Sequence, residues 1–299
     1  MPASTATVPL LVTGASGQLG KLVINHLLNT LQIRPERIVA GTRDPTKLQE
    51  LADKGVQVLK IDFKDIQTVT AAAAGVERAL LISVDDLIGG DDVQNAAVDA
   101  LAKAGVNHIV YTSLQALDKT LFSLKNKHLS TEVAIKSSKV GYSILRNGLY
   151  FENNIGSIAG ALKSGQWYSA AKDGKVSLIS RDDLARAAAY ALASDNTENV
   201  VYELTGPEAL TVDEIAAQVS ETVEKPIEVI QVSVEDLSKG IAAATGLPAA
   251  LADVLATLDE ATAGGVAGDV TDAFEKLTGV KAQTHREWLS VNKAFLQSL

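Results

Sequence analysis

From Val8 onward, short runs of β-branched and aliphatic residues alternate with longer stretches in which apolar side chains return every three or four positions. The short runs are Val8 to Thr13, Ile38 to Thr42, Val56 to Ile61, Ala79 to Ile82, His108 to Thr112 and Tyr142 to Leu145, and each reads as a strand buried on both faces. Between them, Gln18 to Thr30, Pro45 to Lys54, Ile66 to Ala74, Asp91 to Ala104 and a segment near His128 to Ser137 carry helical periodicity. A repeated βαβ unit with right-handed crossovers predicts an α/β, Rossmann-type doubly wound parallel sheet, with ligands beyond the carboxyl ends of its strands.

After Arg146 the rhythm loosens. The pattern predicts a helix from about Asn153 to Ser164, a strand at Val176 to Ile179, a helix from Arg181 to Ala193 and strands at Val200 to Leu204 and Ile227 to Val232. Thr211 to Glu214 fits a capping box, and the Ala/Leu-rich remainder from Val234 reads as mostly helical, with Ala261 to Gly268 as a mobile loop. The expected organisation is a nucleotide domain over residues 1–149, completed by 176–204, and a smaller, mostly helical substrate lobe over 150–175 and 205–299.

Thr13-Gly14-Ala15-Ser16-Gly17-Gln18-Leu19-Gly20 closes the first predicted strand and opens the first helix. Glycines at this spacing let the chain turn sharply, let backbone amides meet a pyrophosphate and let the helix pack against the sheet. The second strand ends in Gly41-Thr42-Arg43-Asp44-Pro45, where an NAD enzyme would offer a carboxylate to the ribose. Here Arg43 comes first, with Lys47 one helical turn on, and a guanidinium suits the 2′-phosphate of NADP. Asp44 reads as the N-cap of a helix with Pro45 at its first position.

The 299 residues include 46% hydrophobic but only 4% aromatic side chains, as expected of parallel strands wrapped by helices. A net charge of -9 gives no general support to nucleic-acid or membrane-surface binding, and no apolar run approaches the roughly 20 residues of a membrane span. The absence of cysteine removes thiol nucleophiles, disulfides and Cys-ligated zinc, and with an opening Met1 to Thr7 that lacks signal-peptide character it suits a cytoplasmic protein.

The glycine loop, Thr42-Arg43-Asp44-Pro45-x-Lys47, Leu80-Leu81-Ile82-Ser83, Tyr111-Thr112-Ser113-Leu114, His128-x-x-x-Glu132 and Leu145-Arg146-Asn147-Gly148-x-Tyr150-x-Glu152-Asn153 together resemble the NmrA-like group of atypical short-chain dehydrogenase/reductases, which includes bacterial NADPH:quinone oxidoreductases. The resemblance runs from the first strand to about Asn154 and continues more weakly through Tyr202 to Gly206 and Gly246 to Pro248. It implies NADPH bound by Thr13, Gly14, Ser16, Gly17, Gln18 and Leu19, with Arg43 and Lys47 at the 2′-phosphate and Asp62 and Phe63 near the adenine. It further implies that Ile82, Ser83, Thr112 and Ser113 border ribose and nicotinamide, and that Asn147, Gly148 and Tyr150 close one wall of the nicotinamide pocket. Plainer readings stand beside these: Asp62 as a helix cap, Phe63 as core, Ser83, Thr112 and Ser113 as partners of strand-end backbone, and Tyr150 as packing between lobes.

Typical short-chain reductases carry Tyr-x-x-x-Lys before the sixth strand, and this chain does not; Tyr168 to Lys172 falls after it and is a coincidental match. His128, beside Lys127, stands where related reductases place a lysine. As a group titrating near neutrality it could donate a proton, orient a carbonyl or touch cofactor, or simply pair with Glu132 one turn away. His128, Asn147 and Tyr150 are therefore the catalytic candidates. No metal is expected, because His128 and Glu132 lack a third ligand, and His26, His108 and His285 read as structural. Trp167, Tyr168, Trp288 and Phe295 read as lobe packing.

The leading expectation is NADPH-dependent hydride transfer to a small apolar or aromatic acceptor such as a quinone, whose reduced form can take its proton from water. Azo, nitro and activated carbonyl compounds are alternative acceptors. A non-catalytic NADP(H) sensor that binds a protein partner is the rival from another class, and a homodimer is left open.

Overall fold

The computed structural model describes residues 8–84, 93–120 and 124–299. The lead-in Met1 to Thr7 and the start of the fourth helix at Asp91 lie outside them. Seven parallel strands form the central sheet in the order β3-β2-β1-β4-β5-β6-β8, from β1 Leu10–Val12, β2 Ile38–Thr42, β3 Gln57–Lys60, β4 Arg78–Leu81, β5 His108–Leu114, β6 Gly141–Asn147 and β8 Val200–Leu204. The expected doubly wound α/β sheet is present, and its order reverses between β1 and β4. Every residue of β1, β2 and β4 is buried, which is why these runs lack polar alternation.

Helices α1 Gln18–Asn25 and α7 Arg181–Ala193 cover one face, and α3 Ile66–Ala72, α4 Val93–Lys103 and α5 Lys125–Ser137 the other, each face closing its own aliphatic core. Local chemistry sets the helix starts. Asp44 accepts from Thr46 N ahead of Pro45, Ser180 accepts from Asp183 N, and Thr211 with Glu214 forms the predicted capping box. The segment Pro45 to Lys54 divides into a 3-10 turn and the short α2 Gln49–Asp53, and α1 continues as a π turn over His26–Thr30.

A third core joins Phe151, Trp167, Trp288 and Leu289 with α6 Ile155–Ser164, α8 Val212–Val223 and α12 His285–Gln297. Beside it β7 Gln166–Ser169 pairs in parallel with β9 Glu228–Gln231. β7 is a strand the pattern did not predict, because Gln166-Trp167-Tyr168-Ser169 contains no β-branched or aliphatic residue. Conversely, Val176 to Ile179 is not a strand: it makes single bridges from Val176 to Leu210 and from Ile179 to Tyr150. Tyr168 and Phe295 do not pack between lobes, being 49% and 47% exposed.

Helices α9 Val234–Thr245 and α10 Ala249–Ala263 form a hairpin, and α11 Ala273–Thr278 packs through Phe274 and Leu277 on the sheet layer. The Ala/Gly stretch expected as loop begins inside α10, where Ala261 and Thr262 are buried. Among the described residues no helix is long and apolar enough to cross a membrane.

Candidate active site

All strand-end candidates gather along one edge of the sheet. Gly14 turns the chain out of β1 at a φ of +61°, in the left-handed region that glycine tolerates. A Cβ on Gly20 would lie 2.3 Å from Gly14 O and 2.8 Å from Ala15 Cα, so only glycine lets α1 start this close to the loop. Gly17 is the N-cap, supplies no side-chain cap, and the first turn carries no acid. With Gly14, Gly17 and Gln18 exposed, the positive end of α1 faces outward with no side chain competing for its amides, and this fits an anionic pyrophosphate.

Ser16 Oγ lies 2.8 Å from Thr42 Oγ1, tying the loop to the end of β2. Arg43 follows directly, exposed and in no ion pair among the described residues, with Lys47 exposed beside it. Asp44 turns back to accept from both Thr46 N and Thr46 Oγ1 as the cap of its turn. Beyond β3, Asp62 does not cap α3: its Oδ1 accepts from Lys64 N, while Asp65 takes the N-cap position. Phe63 is half-buried against the second core.

Two hydroxyls hold the switch point. Thr13 Oγ1 donates to Leu80 O and accepts from Ile82 N, and Thr112 Oγ1 accepts from Ser83 N and donates to Ser83 Oγ. Both threonine side chains are thus committed to the sheet, while Ile82 packs against Gly14.

Ser113 Oγ donates to Glu132 Oε1 at 2.8 Å. Glu132, fully buried, also receives Arg146 through Nε and Nη2, both at 2.9 Å, and Lys136 Nζ at 2.9 Å. Burial disfavours its charge, yet these hydrogen bonds outweigh burial and hold its pKa below the usual carboxylate range. Arg146 reaches on to Glu203 and Asp118, both at 3.1 Å, and Glu203 Oε2 accepts from Ala116 N. Sequence reading missed this network. Its signal was a charged residue inside each of α5, β6 and β8.

His128 does not pair with Glu132. Its Nδ1 lies 2.9 Å from Tyr111 Oη, and burial pushes its pKa down to about 4, so the ring is neutral at pH 7. The expected neutral-range titration gives way to desolvation. Tyr150 accepts a hydrogen bond from the Asn147 side chain, and the Arg181 guanidinium stacks 5.1 Å above its ring. Burial raises the phenol pKa against the pull of Arg181. Asn147 Oδ1 is buried without a partner among the described residues.

Past the ends of β5 and β6 lies a small cavity of about 20 Å³, room for about one water, lined by Leu114, Gln115, Thr120, Leu149, Leu258 and Val266 among others. Among the described residues no three potential metal ligands cluster. The other histidines are held structurally: His26 by Asp182 and Thr30, His108 by Ser143 and His285 by Gln218.

The profile of the NmrA-like family matches residues 6–289. Quinone oxidoreductase 2 of Escherichia coli is 36% identical over 93% of this chain and 96% of its own length. The crystal structure of that NADPH-dependent quinone oxidoreductase with NADPH superposes with a TM-score of 0.89 over 94% of this chain and 98% of the other. The NADP(H) complex of Citrobacter sp. triphenylmethane reductase gives 0.86 at 33% identity, covering 93% of this chain and 98% of the other. A NAD(P)H azoreductase of Xenophilus azovorans is 27% identical over 95% of this chain and 98% of its own.

Proposed function

The chain belongs to the NmrA-like family, and from that premise we propose that it is an NADPH-dependent oxidoreductase that passes hydride to a quinone or similar conjugated acceptor. The observation that carries this reading is the uncapped, acid-free start of α1 tied through Ser16 and Thr42 to the exposed cations Arg43 and Lys47. Bound NADPH supplies the hydride; the residues of the chain bind, orient and exclude water.

In this proposal Gly14, Ser16, Gly17, Gln18 and Leu19 receive the pyrophosphate, with Thr13 as their anchor, and Arg43 and Lys47 receive the 2′-phosphate. Asp62 and Phe63 flank the adenine. Ile82, Ser83, Thr112 and Ser113 border the ribose, and Asn147 offers its unpartnered Oδ1 to the nicotinamide side. Of the polar groups nearby, Ser113 spends its proton on Glu132, and neutral His128 serves to orient rather than donate. Tyr150 accepts from Asn147 and keeps its own proton, so it is the assigned donor for acceptors that need one. Quinones need it least, since the reduced ring can be protonated by water.

Residues 1–149 with 176–204 form the cofactor side of this proposal, and 150–175 with 205–299 the substrate side. It places a cytoplasmic enzyme whose homodimer or monomer state sedimentation distinguishes. The test is NADPH oxidation against a panel of quinones, azo compounds and triphenylmethane dyes, with cofactor affinity measured in parallel. Turnover of quinones is expected; firm NADPH binding without turnover of any acceptor would replace the enzyme with a redox sensor.

A further inference from the structure

Arg181 opens α7 at a place where helix electrostatics disfavours a cation. The first turn of a helix presents unpaired N–H groups and favours acids, and α7 follows that rule at the next two residues, Asp182 and Asp183. The Arg181 side chain makes no salt bridge among the described residues and lies instead over Tyr150, its guanidinium carbon 5.1 Å from the ring centre. Backbone fixes the two residues against each other. Phe151 N donates to Ile179 O at 3.1 Å and Ile179 N to Leu149 O at 3.0 Å, while Ser180 caps the helix by accepting from Asp183 N. Glu152, the carboxylate beside the phenol, turns both oxygens to Arg181 N, at 3.3 and 3.1 Å. Tyr150 therefore meets Asn147 as a hydrogen-bond donor, Arg181 as a cation over its ring face and Glu152 as an acid occupied with backbone. Burial pushes the phenol pKa up, and Arg181 is the strongest pull the other way.

We propose that Arg181 is a positioning residue for proton donation by Tyr150: its guanidinium holds the ring by its face and stabilises the negative charge that gathers on the phenol as the proton leaves. This rests on the donor role assigned to Tyr150 above. With an azo acceptor, one nitrogen takes the hydride supplied by NADPH and the N=N π pair moves to the other nitrogen. That nitrogen takes the Tyr150 proton to give the hydrazo compound, and the phenolate regains a proton from water. A cation gains modestly over a neutral ring and more over a developing phenolate, so the contact acts chiefly in the transition state. A triphenylmethane dye cation takes hydride alone at its central carbon, and a reduced quinone can take its proton from water, so neither calls on this device.

The test compares kcat at saturating NADPH for 4-dimethylaminoazobenzene, which carries no anionic group for Arg181 to bind, with kcat for 2-methyl-1,4-naphthoquinone and crystal violet. Wild type, Arg181→Met, Arg181→Lys and Tyr150→Phe are measured side by side. In Arg181→Met the ratio of azo to quinone or dye turnover is expected to fall roughly tenfold, and Arg181→Lys, which returns the charge without the planar stack, to recover part of it. The melting temperature of Arg181→Met should stay close to that of the wild type, because removing a cation from the positive end of α7 offsets the lost stack. An unchanged ratio in Arg181→Met beside a lowered ratio in Tyr150→Phe overturns the role of Arg181 and leaves Tyr150 as the donor. A fall that Arg181→Lys does not recover at all makes the loss one of packing and overturns it too. If Tyr150→Phe leaves the ratio unchanged, or the wild type reduces the quinone or the dye but not the azo compound, the donor role fails and takes the inference with it, while hydride transfer stands. Reduction of none of the three defeats the oxidoreductase reading itself, and the inference with it.

Discussion

The two ends of the same sheet edge are built by different means. At β1 and β2 the site is mostly backbone: a left-handed Gly14, a glycine contact at Gly20, and short hydroxyl clamps from Thr13 and from Ser16 to Thr42. At β5, β6 and β8 it is mostly side chain, with Arg146 gathering Glu132, Glu203 and Asp118 while Gln115 spans to Ser177 and Asp269. The first kind of construction needs particular residues at fixed local spacing. The second needs groups from distant parts of the chain to converge, and each member left unpaired once buried is costly.

The largest effect expected from this difference is acid sensitivity. Burial lowers the pKa of His128, His108 and His285 from 6.5 to about 4. In that window the unfolded chain binds protons that the folded chain does not, so these rings stabilise the fold above pH 6.5 and lose that contribution as pH falls towards 4. Each is worth about 3 kcal/mol across the window, and Asp183, whose carboxyl is raised by burial, offsets part of the loss. Two of the rings lie with β5 and α5, whereas His285 packs on Phe151 and Trp288 in the third core. Both tryptophans sit in that core, so their fluorescence follows the lobe while far-UV circular dichroism follows the whole chain. Coincident acid transitions are expected; a lobe that outlasts the sheet would break the molecule into two independent units.

Next comes Glu132→Gln. It leaves the Arg146 guanidinium, 11% exposed, without its main counter-charge, and loss of one partner of a buried pair costs about 3–5 kcal/mol. Urea denaturation measures it. A loss near zero would mean that the substrate end is not held by charge. Replacing both partners, as Glu132→Leu with Arg146→Met, should recover much of the stability.

How far each end was legible in the sequence follows from the same physics. The doubly wound sheet and the glycine cradle rest on short unbroken aliphatic runs, on three-to-four-residue periodicity between them and on glycines three residues apart, all visible along the chain. Thr211 with Glu214 and Asp44 with Pro45 were equally local. Gln115 carried no local signal, because its meaning comes from Asp269 and Ser177, more than sixty residues away. His128 misled for a related reason: its i, i+4 neighbour Glu132 is captured by Arg146 from β6, and the ring turns to Tyr111 instead. β7 escaped because Gln166 to Ser169 lacks the β-branched residues that gave away its partner β9.

Gly20→Ala probes the backbone end directly. The added carbon meets main chain that cannot rotate away, so α1 must shift, at a cost of about 1–3 kcal/mol by overpacking, with weaker NADPH binding as the loop moves. Thermal melts with and without NADPH separate the two effects. Gly156→Ala in α6 is the control: its Cβ meets nothing within 4 Å, and the change should stabilise by up to about 1 kcal/mol.

The smallest effect is the most specific. Arg43 is exposed and in no ion pair among the described residues, so Arg43→Ala should leave the melting temperature where it is. What it removes is the guanidinium proposed to fork onto the 2′-phosphate, and a charge-assisted contact at a partly solvated site is worth about 1.5 kcal/mol, or roughly tenfold in NADPH affinity. NADH lacks that phosphate, and its affinity should not move. Fluorescence titration with both cofactors gives the ratio. Equal losses for the two would place Arg43 on a shared part of the dinucleotide, and no loss for either would leave cofactor choice to Lys47, whose own alanine variant should then show the NADPH-specific drop.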